Sequence, residues 1–77
     1  MSIYPNPAND YITIASTNNV NLDNCMLEIY DVYGRVCVNK KINSSEGIDV
    51  SFLKKGYYLI KLMPQNKKAI HSIFIKQ

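Results

Sequence analysis

Residues 26–38 read MLEIYDVYGRVCV, a stretch that predicts two strands joined by a tight turn. Leu27 and Ile29 alternate with more polar neighbours, which is the period-two pattern of a strand with one buried face. The turn between the two apolar runs contains Gly34, and glycine readily adopts the positive φ angle that tight hairpin turns require. We therefore expect a β-hairpin here.

The same alternation recurs through the rest of the chain, and no stretch keeps a helical period. Apolar runs rich in β-branched and aromatic residues are separated by clusters of turn-forming residues, as in strands joined by short turns. The expected strands are residues 11–16, 26–31, 36–42, 48–50, 57–63 and 69–76, with a seventh at 3–4. This pattern predicts an all-β fold, a small antiparallel immunoglobulin-like β-sandwich of six to seven strands. We expect residues 2–77 to form this single domain, with Met1 supplied by a start codon, and the turn at 51–56 to carry the chain to the opposite sheet.

The alternation also predicts which side chains face the core. In the last strand, Ile73 and Ile75 share one face and Phe74 takes the other. In the other strands the side chains expected to point inward are Ile12, Ile14, Leu27, Ile29, Val36, Val38, Ile42, Ile48, Val50, Tyr58, Ile60 and Leu62.

Charge is distributed unevenly along the chain. Residues 1–49 hold six acids and three bases, whereas residues 50–77 hold six lysines and no acid. A basic segment can bind nucleic acid or membranes, but these lysines come in scattered pairs near turns, where they are solvated and protect strand edges. We favour that interpretation over nucleic-acid binding or membrane insertion. Apolar runs stay far below the roughly 20 residues of a membrane span, and the N-terminus lacks signal-peptide features, so we expect the chain to be either cytoplasmic or cut from a longer exported protein.

The residues that usually carry chemistry are sparse. Cys25 and Cys37 are expected to be free thiols, because a hairpin that turns at residues 32–35 separates their Cα atoms beyond the roughly 7 Å limit of a disulfide. Zinc-ligand spacing is absent around them, and a lone histidine in a predicted strand, such as His71, is far more often a packing or surface residue than a catalytic base. We predict no enzyme activity, no metal and no cofactor.

Exposed tyrosines allow two interpretations. Tyr11, Tyr30, Tyr33 and Tyr57 could form a platform for carbohydrate or protein, because amphipathic rings give large contact area at low entropic cost. They could instead form cross-strand pairs that stabilise the sheets. We favour the second interpretation.

Four motifs follow one another in a characteristic order. They are YPNPA at residues 4–8, IYDVYGRV at 29–36, LKKGYY at 53–58, and an apolar, lysine-bearing last strand. Together they resemble the type A C-terminal sorting domain of the type IX (Por) secretion system of Bacteroidota, and the resemblance covers nearly the whole chain.

The resemblance implies a sorting signal at the tail of a larger exported cargo protein. Such a domain is carried to the periplasm and recognised by the outer-membrane translocon and its shuttle protein. A surface sortase of the cysteine-protease class then removes it, and the cargo is anchored to lipopolysaccharide or released. The expected locations are therefore the periplasm in transit, then the outer membrane, the cell surface or the medium.

Several motif residues have a physical interpretation. Pro5 and Pro7, which flank Asn6, lack amide donors and fix φ, so we expect them to hold the chain before the strand at 11–16 extended and unpaired. Arg35, beside Gly34, is expected at the exposed end of the hairpin. Gly56 permits a sharp change of direction, after which Tyr58 can bury its ring while its hydroxyl reaches a partner at the sheet rim.

The last hairpin, residues 56–77, is the expected recognition element. It would present a strand edge, lysines and apolar side chains to the translocon, and addition of a partner strand is one plausible mode. The residues hypothesised to be recognised are Gly56, Tyr58, Lys61, Ile73, Ile75 and Lys76. A competing reading is an immunoglobulin-like or fibronectin-like module that binds polysaccharide or protein through a row of exposed aromatics, and a third is a structural spacer.

Overall fold

The computed structural model describes residues 2–5, 7–15, 24–42, 47–64 and 68–77, which form seven strands and no helix. The strands are β1 (Ser2–Tyr4), β2 (Tyr11–Ala15), β3 (Cys25–Tyr30), β4 (Val36–Ile42), β5 (Gly47–Asp49), β6 (Gly56–Met63) and β7 (Ile70–Lys76). The all-β prediction is confirmed, including the seventh strand near the N-terminus. Met1, Asn6 and Ser16, which the sequence predictions include, lie outside the described residues.

The strands form two antiparallel sheets. One sheet has three strands in the order β1-β2-β5, and the other has four in the order β4-β3-β6-β7. The chain passes from the first sheet to the second through residues 50–55, as the sequence predicts for this turn. This arrangement is compatible with the small β-sandwich predicted from the sequence.

The buried apolar side chains of the described residues form a core cluster to which both sheets contribute. Both sheets contribute fully buried side chains, and Phe74 from β7 is the largest of them. The residues predicted to face inward are buried except Val36 and Val38 on β4; the buried ones are Ile12, Ile14, Leu27, Ile29, Ile42, Ile48, Val50, Tyr58, Ile60 and Leu62. Burying such side chains contributes about 1.5–3 kcal/mol each to the free energy of folding.

The prediction for Val36 is wrong. Its side chain is half exposed, and Val38 is only partly buried against the core. Ile29 pairs with Val38 while Tyr30 pairs with Val36, so one extra residue, Cys37, is accommodated in a β-bulge. The bulge shifts the alternation, and Cys37 rather than Val36 packs against the core.

The prediction that Pro5 and Pro7 hold the segment before β2 extended and unpaired is wrong. The chain reverses between β1 and β2, which pair antiparallel. Between them, Ala8 is fully buried and forms a parallel bridge with the end of β7. The Ala8 amide donates to the Ile75 carbonyl at 2.8 Å, and the Gln77 amide donates to the Ala8 carbonyl at 2.8 Å.

Candidate recognition surface

The β3–β4 turn is organised around the carboxylate of Asp31. One oxygen accepts the amides of Tyr33 and Arg35 at 2.9 and 3.0 Å, and the other accepts the Arg35 Nε–H at 2.8 Å. Partial desolvation acts to raise the pKa of Asp31, but these hydrogen bonds and the Arg35 charge outweigh it and hold the pKa below its ordinary value. The turn is thus rigidly specified by a side chain that stays ionised.

Gly34 and Arg35 occupy the positions expected for them. Gly34 has a φ of 80°, and its amide donates to the Asp31 carbonyl at 3.0 Å to close the turn. Arg35 is at the exposed end of the hairpin, where its guanidinium lies 5.3 Å from the centre of the Tyr33 ring.

The turn from β5 to β6 is anchored at both ends. Leu53 is buried, and its amide donates to the Val50 carbonyl at 3.0 Å. Gly56 has a φ of 151°, which permits the change of direction into β6. The Tyr58 hydroxyl donates to the Lys54 carbonyl at 2.6 Å, which confirms the predicted partner at the sheet rim.

The Tyr58 ring is buried as predicted. It stacks on Phe74 with 5.5 Å between ring centres. Desolvation by burial is the main cause that raises the pKa of Tyr58, so its hydroxyl remains a donor at neutral pH.

The two turns face each other across a groove of about 410 Å³, which we call the end groove. Tyr33 and Arg35 line it from the β3–β4 turn, and Phe52, Lys54 and Lys55 line it from the β5–β6 turn. The buried Tyr58 also borders it. Two of the motif segments identified in the sequence, residues 29–36 and 53–58, therefore meet at this groove.

The solvent side of the four-stranded sheet carries an apolar surface, which we call the outer face. Tyr30, Leu59 and Ile73 are cross-strand neighbours in one row, and Tyr57 and Ile75 form a second row. All five alternate with buried residues, and Ile73 is 60% exposed. A second, smaller cleft of about 250 Å³ lies along this face, bordered by Tyr57, Leu59 and Ile73.

A polar row borders the apolar residues of the outer face. Glu28, Lys61 and His71 are paired across β3, β6 and β7. The Tyr30 hydroxyl donates to the Glu28 carboxylate at 2.9 Å, and this hydrogen bond is the main cause that raises the pKa of Tyr30. His71 is exposed at the end of the row.

Five of the six hypothesised recognition residues fall into two groups, and the sixth, Gly56, is half-buried at the start of β6. Ile73 and Ile75 are exposed on the outer face, and Lys61 lies there partly exposed. Tyr58 and Lys76 are buried, and the Lys76 Nζ donates to the Gln77 carbonyl at 3.0 Å. The side chains of the first group are therefore accessible at the surface, whereas those of the second group are buried within the domain.

Two exposed residues of the outer face, Tyr57 and Leu59, are not among the hypothesised translocon-recognition residues, although Tyr57 is one of the tyrosines considered for a binding platform. The alternation of side chains along a strand could have identified both residues: if Tyr58 and Ile60 point inward, their neighbours on β6 must point outward. Both lie beside Ile73 on the outer face.

The tyrosines do not form one row. Tyr11 lies on the three-stranded sheet, whereas Tyr30 and Tyr57 lie on the other sheet and Tyr33 lies in a turn. In the part of the chain that the structure describes, the stacked aromatic pair across strands joins Tyr58 to Phe74 and not two tyrosines.

Both cysteines are free thiols, as predicted; Cys25 is buried and Cys37 is partly exposed. Within the described ranges there is no group of three or more potential metal ligands. A helix that could cross a membrane is likewise absent from those ranges.

Comparison with known protein families identifies the chain. A family model described as a secretion system C-terminal sorting domain matches residues 2–76. A search of curated proteins finds no match. The match spans all the strands described above and the turns that form the end groove. The chain belongs to the family of C-terminal sorting domains of the type IX secretion system.

Proposed function

We propose that the outer-membrane translocon of the type IX system and its shuttle protein recognise this domain in its folded form, and that a surface sortase then removes it. Family membership establishes the broader role. The domain is a C-terminal sorting signal that directs the cargo preceding it to the outer membrane or cell surface, and its family is not a family of enzymes. Passage of the cargo through the periplasm is part of the proposal.

The observation that carries the proposal is the outer face. Ile73, Leu59 and Tyr57 expose apolar area on a regular sheet, next to the charged side chain of Lys61. Contiguous exposed apolar residues with a polar border are typical of protein interaction sites. We propose that this face, on the last hairpin, contacts the translocation machinery.

Contact through the face is favoured over addition of a strand to the end of β7. Ala8 already hydrogen-bonds to the Ile75 carbonyl and the Gln77 amide, which point away from β6. A partner strand would have to displace Ala8 there, whereas the side chains of the outer face can be contacted without rearrangement.

The proposal is tested by export of a reporter. Residues 2–77 are fused behind a fluorescent protein with a signal peptide and expressed in Bacteroidota with an intact or a deficient type IX translocon. We expect surface or medium fluorescence only in the intact strain, with loss of about the mass of the domain when the sortase acts. Retention in the periplasm of both strains would reject the proposal, and glycan binding would then be the next function to test.

Point substitutions locate the contact better than deletion of residues 73–77, since that deletion also removes the core residue Phe74. We expect Ile73→Asn to reduce the exported fraction by about tenfold, because a polar side chain at the centre of an apolar contact weakens binding. Tyr11→Asn is the matched control, because Tyr11 is 61% exposed but lies on the other sheet. Equal export of both variants would contradict a role of the outer face.

A further inference from the structure

Both walls of the end groove are held in place from within the domain. On one side, the Asp31 carboxylate fixes the turn through the amides of Tyr33 and Arg35. On the other side, the buried side chain of Leu53 and the hydrogen bond from the Tyr58 hydroxyl to the Lys54 carbonyl hold the β5–β6 turn. Walls that are ordered before binding reduce the conformational entropy that a ligand must offset.

The groove is large and mainly apolar. Its volume of about 410 Å³ falls within the range of about 300–1,000 Å³ that is typical of ligand sites. Phe52 lines it although the residue is 63% exposed, and Tyr33 is also exposed. Aromatic side chains placed in a concave site offer contact area to an apolar group of a partner.

The charge around the groove is positive. Asp31 is paired with Arg35 at 2.8 Å, so these two charges balance each other. Lys54 and Lys55 are exposed, and among the described residues no carboxylate lies within ion-pair distance of either. The groove therefore combines apolar walls with the ammonium groups of Lys54 and Lys55, neither of which is paired with a described carboxylate.

We propose that the end groove binds an acidic segment of a protein partner, with an apolar side chain between Phe52 and Tyr33 and carboxylates next to Lys54 and Lys55. The inference rests on the proposed function, because it specifies the chemistry that a translocation partner presents to the domain. A protein segment fits better than the phosphates of a lipid headgroup, because the guanidinium of Arg35 is already engaged by Asp31 and the lining is mainly apolar.

Reversing the charges of Lys54 and Lys55 in the export reporter tests whether these lysines attract the partner's carboxylates. We expect Lys54→Glu combined with Lys55→Glu to reduce the exported fraction by about tenfold, because like charges now face the partner. The matched control combines Lys41→Glu with Lys68→Glu, two exposed lysines outside the groove lining. Thermal unfolding of the purified domains verifies that both double variants remain folded.

Photo-crosslinking tests the partner's identity. A benzophenone amino acid replaces Phe52 in the groove, or Tyr11 on the opposite sheet as the control, in the same exported reporter. We expect an adduct specific to position 52, in which the linked peptide belongs to a protein and contains at least two Asp or Glu residues. An adduct to a glycolipid, to a peptide without acidic residues, or none specific to position 52 would overturn the proposal.

The outcomes separate this inference from the proposed function. If the unaltered domain is not exported, the sorting function itself fails. If the unaltered domain and the Lys54 and Lys55 double variant are exported equally, the sorting function stands and the end groove proposal is overturned. A selective loss in the groove variant, with normal export of the control, supports both.

Discussion

Asp31 links the local structure of one turn to the pH dependence of the whole domain. Its pKa lies below the ordinary value of 3.8, so its ionised form contributes stability above that pH, and this contribution is lost as the pH falls through the folded pKa. We expect Asp31→Asn to lower the free energy of unfolding at about pH 7, because the ion pair with Arg35 is removed. Thermal unfolding at a series of pH values should show the two proteins converging as the pH falls below 3.8; a difference in stability that does not shrink with falling pH would contradict the assignment.

The two cysteines should differ in reactivity. Cys25 is fully buried, and desolvation raises its pKa despite an opposing hydrogen bond with the Met63 backbone. Cys37 is partly exposed and lines the end groove. Because the accessible thiolate is the reactive species, we expect Ellman's reagent to modify one thiol quickly in the folded domain and both after denaturation. Mass spectrometry assigns the fast site, and fast modification of Cys25 would contradict its burial.

At the scale of single elements, the two turns depend on glycine conformation. Gly34 and Gly56 have φ angles of 80° and 151°, which side chains rarely adopt, and a Cβ at either site would contact nothing within 4 Å. Alanine at each position should therefore cost about 1–3 kcal/mol through backbone strain alone. Gly47→Ala is the control, because Gly47 has the same open space without a positive φ. Chemical denaturation measures the three variants, and equal stability of all three would show that strain is not the cause.

The strands could be predicted because alternation is a local property of the sequence. The bulge in β4 could not, since it arises where β4 pairs with β3 and two residues must oppose one. The bridge between Ala8 and Lys76 was equally inaccessible, because it joins residues from opposite ends of the chain.

The alternation of inward and outward side chains along a strand also predicts which residues of the last hairpin are buried. Lys76 stands two residues after Phe74 and so shares its buried face. The end groove could not be predicted from alternation within one strand. It forms between turns that are separated in sequence, and only the packing of the strands brings Tyr33 near Phe52.

At the scale of the whole molecule, a chain of this size has a small margin of stability, of the order of 0.05–0.15 kcal/mol per residue. Phe74 is the largest fully buried side chain, and Phe74→Ala should cost about 3–5 kcal/mol, a large part of that margin. Ile73→Ala on the same strand should cost far less, because its side chain is 60% exposed. Urea unfolding compares them, and a similar loss in both would contradict the assignment of inner and outer faces.

The bridge at Ala8 closes the domain by joining its first and last segments. Gln77→Pro removes the amide that donates to the Ala8 carbonyl, whereas Gln77→Ala keeps it. Losing this bond should cost about 0.5–1.5 kcal/mol, and the Ala8 amide should exchange faster because the remaining bond to Ile75 is less constrained. Hydrogen exchange measured by NMR compares the two variants. Unchanged protection of Ala8 in Gln77→Pro would mean that its buried position holds the segment without the Gln77 bond; faster exchange would show that the end of β7 and the segment before β2 are stabilised together.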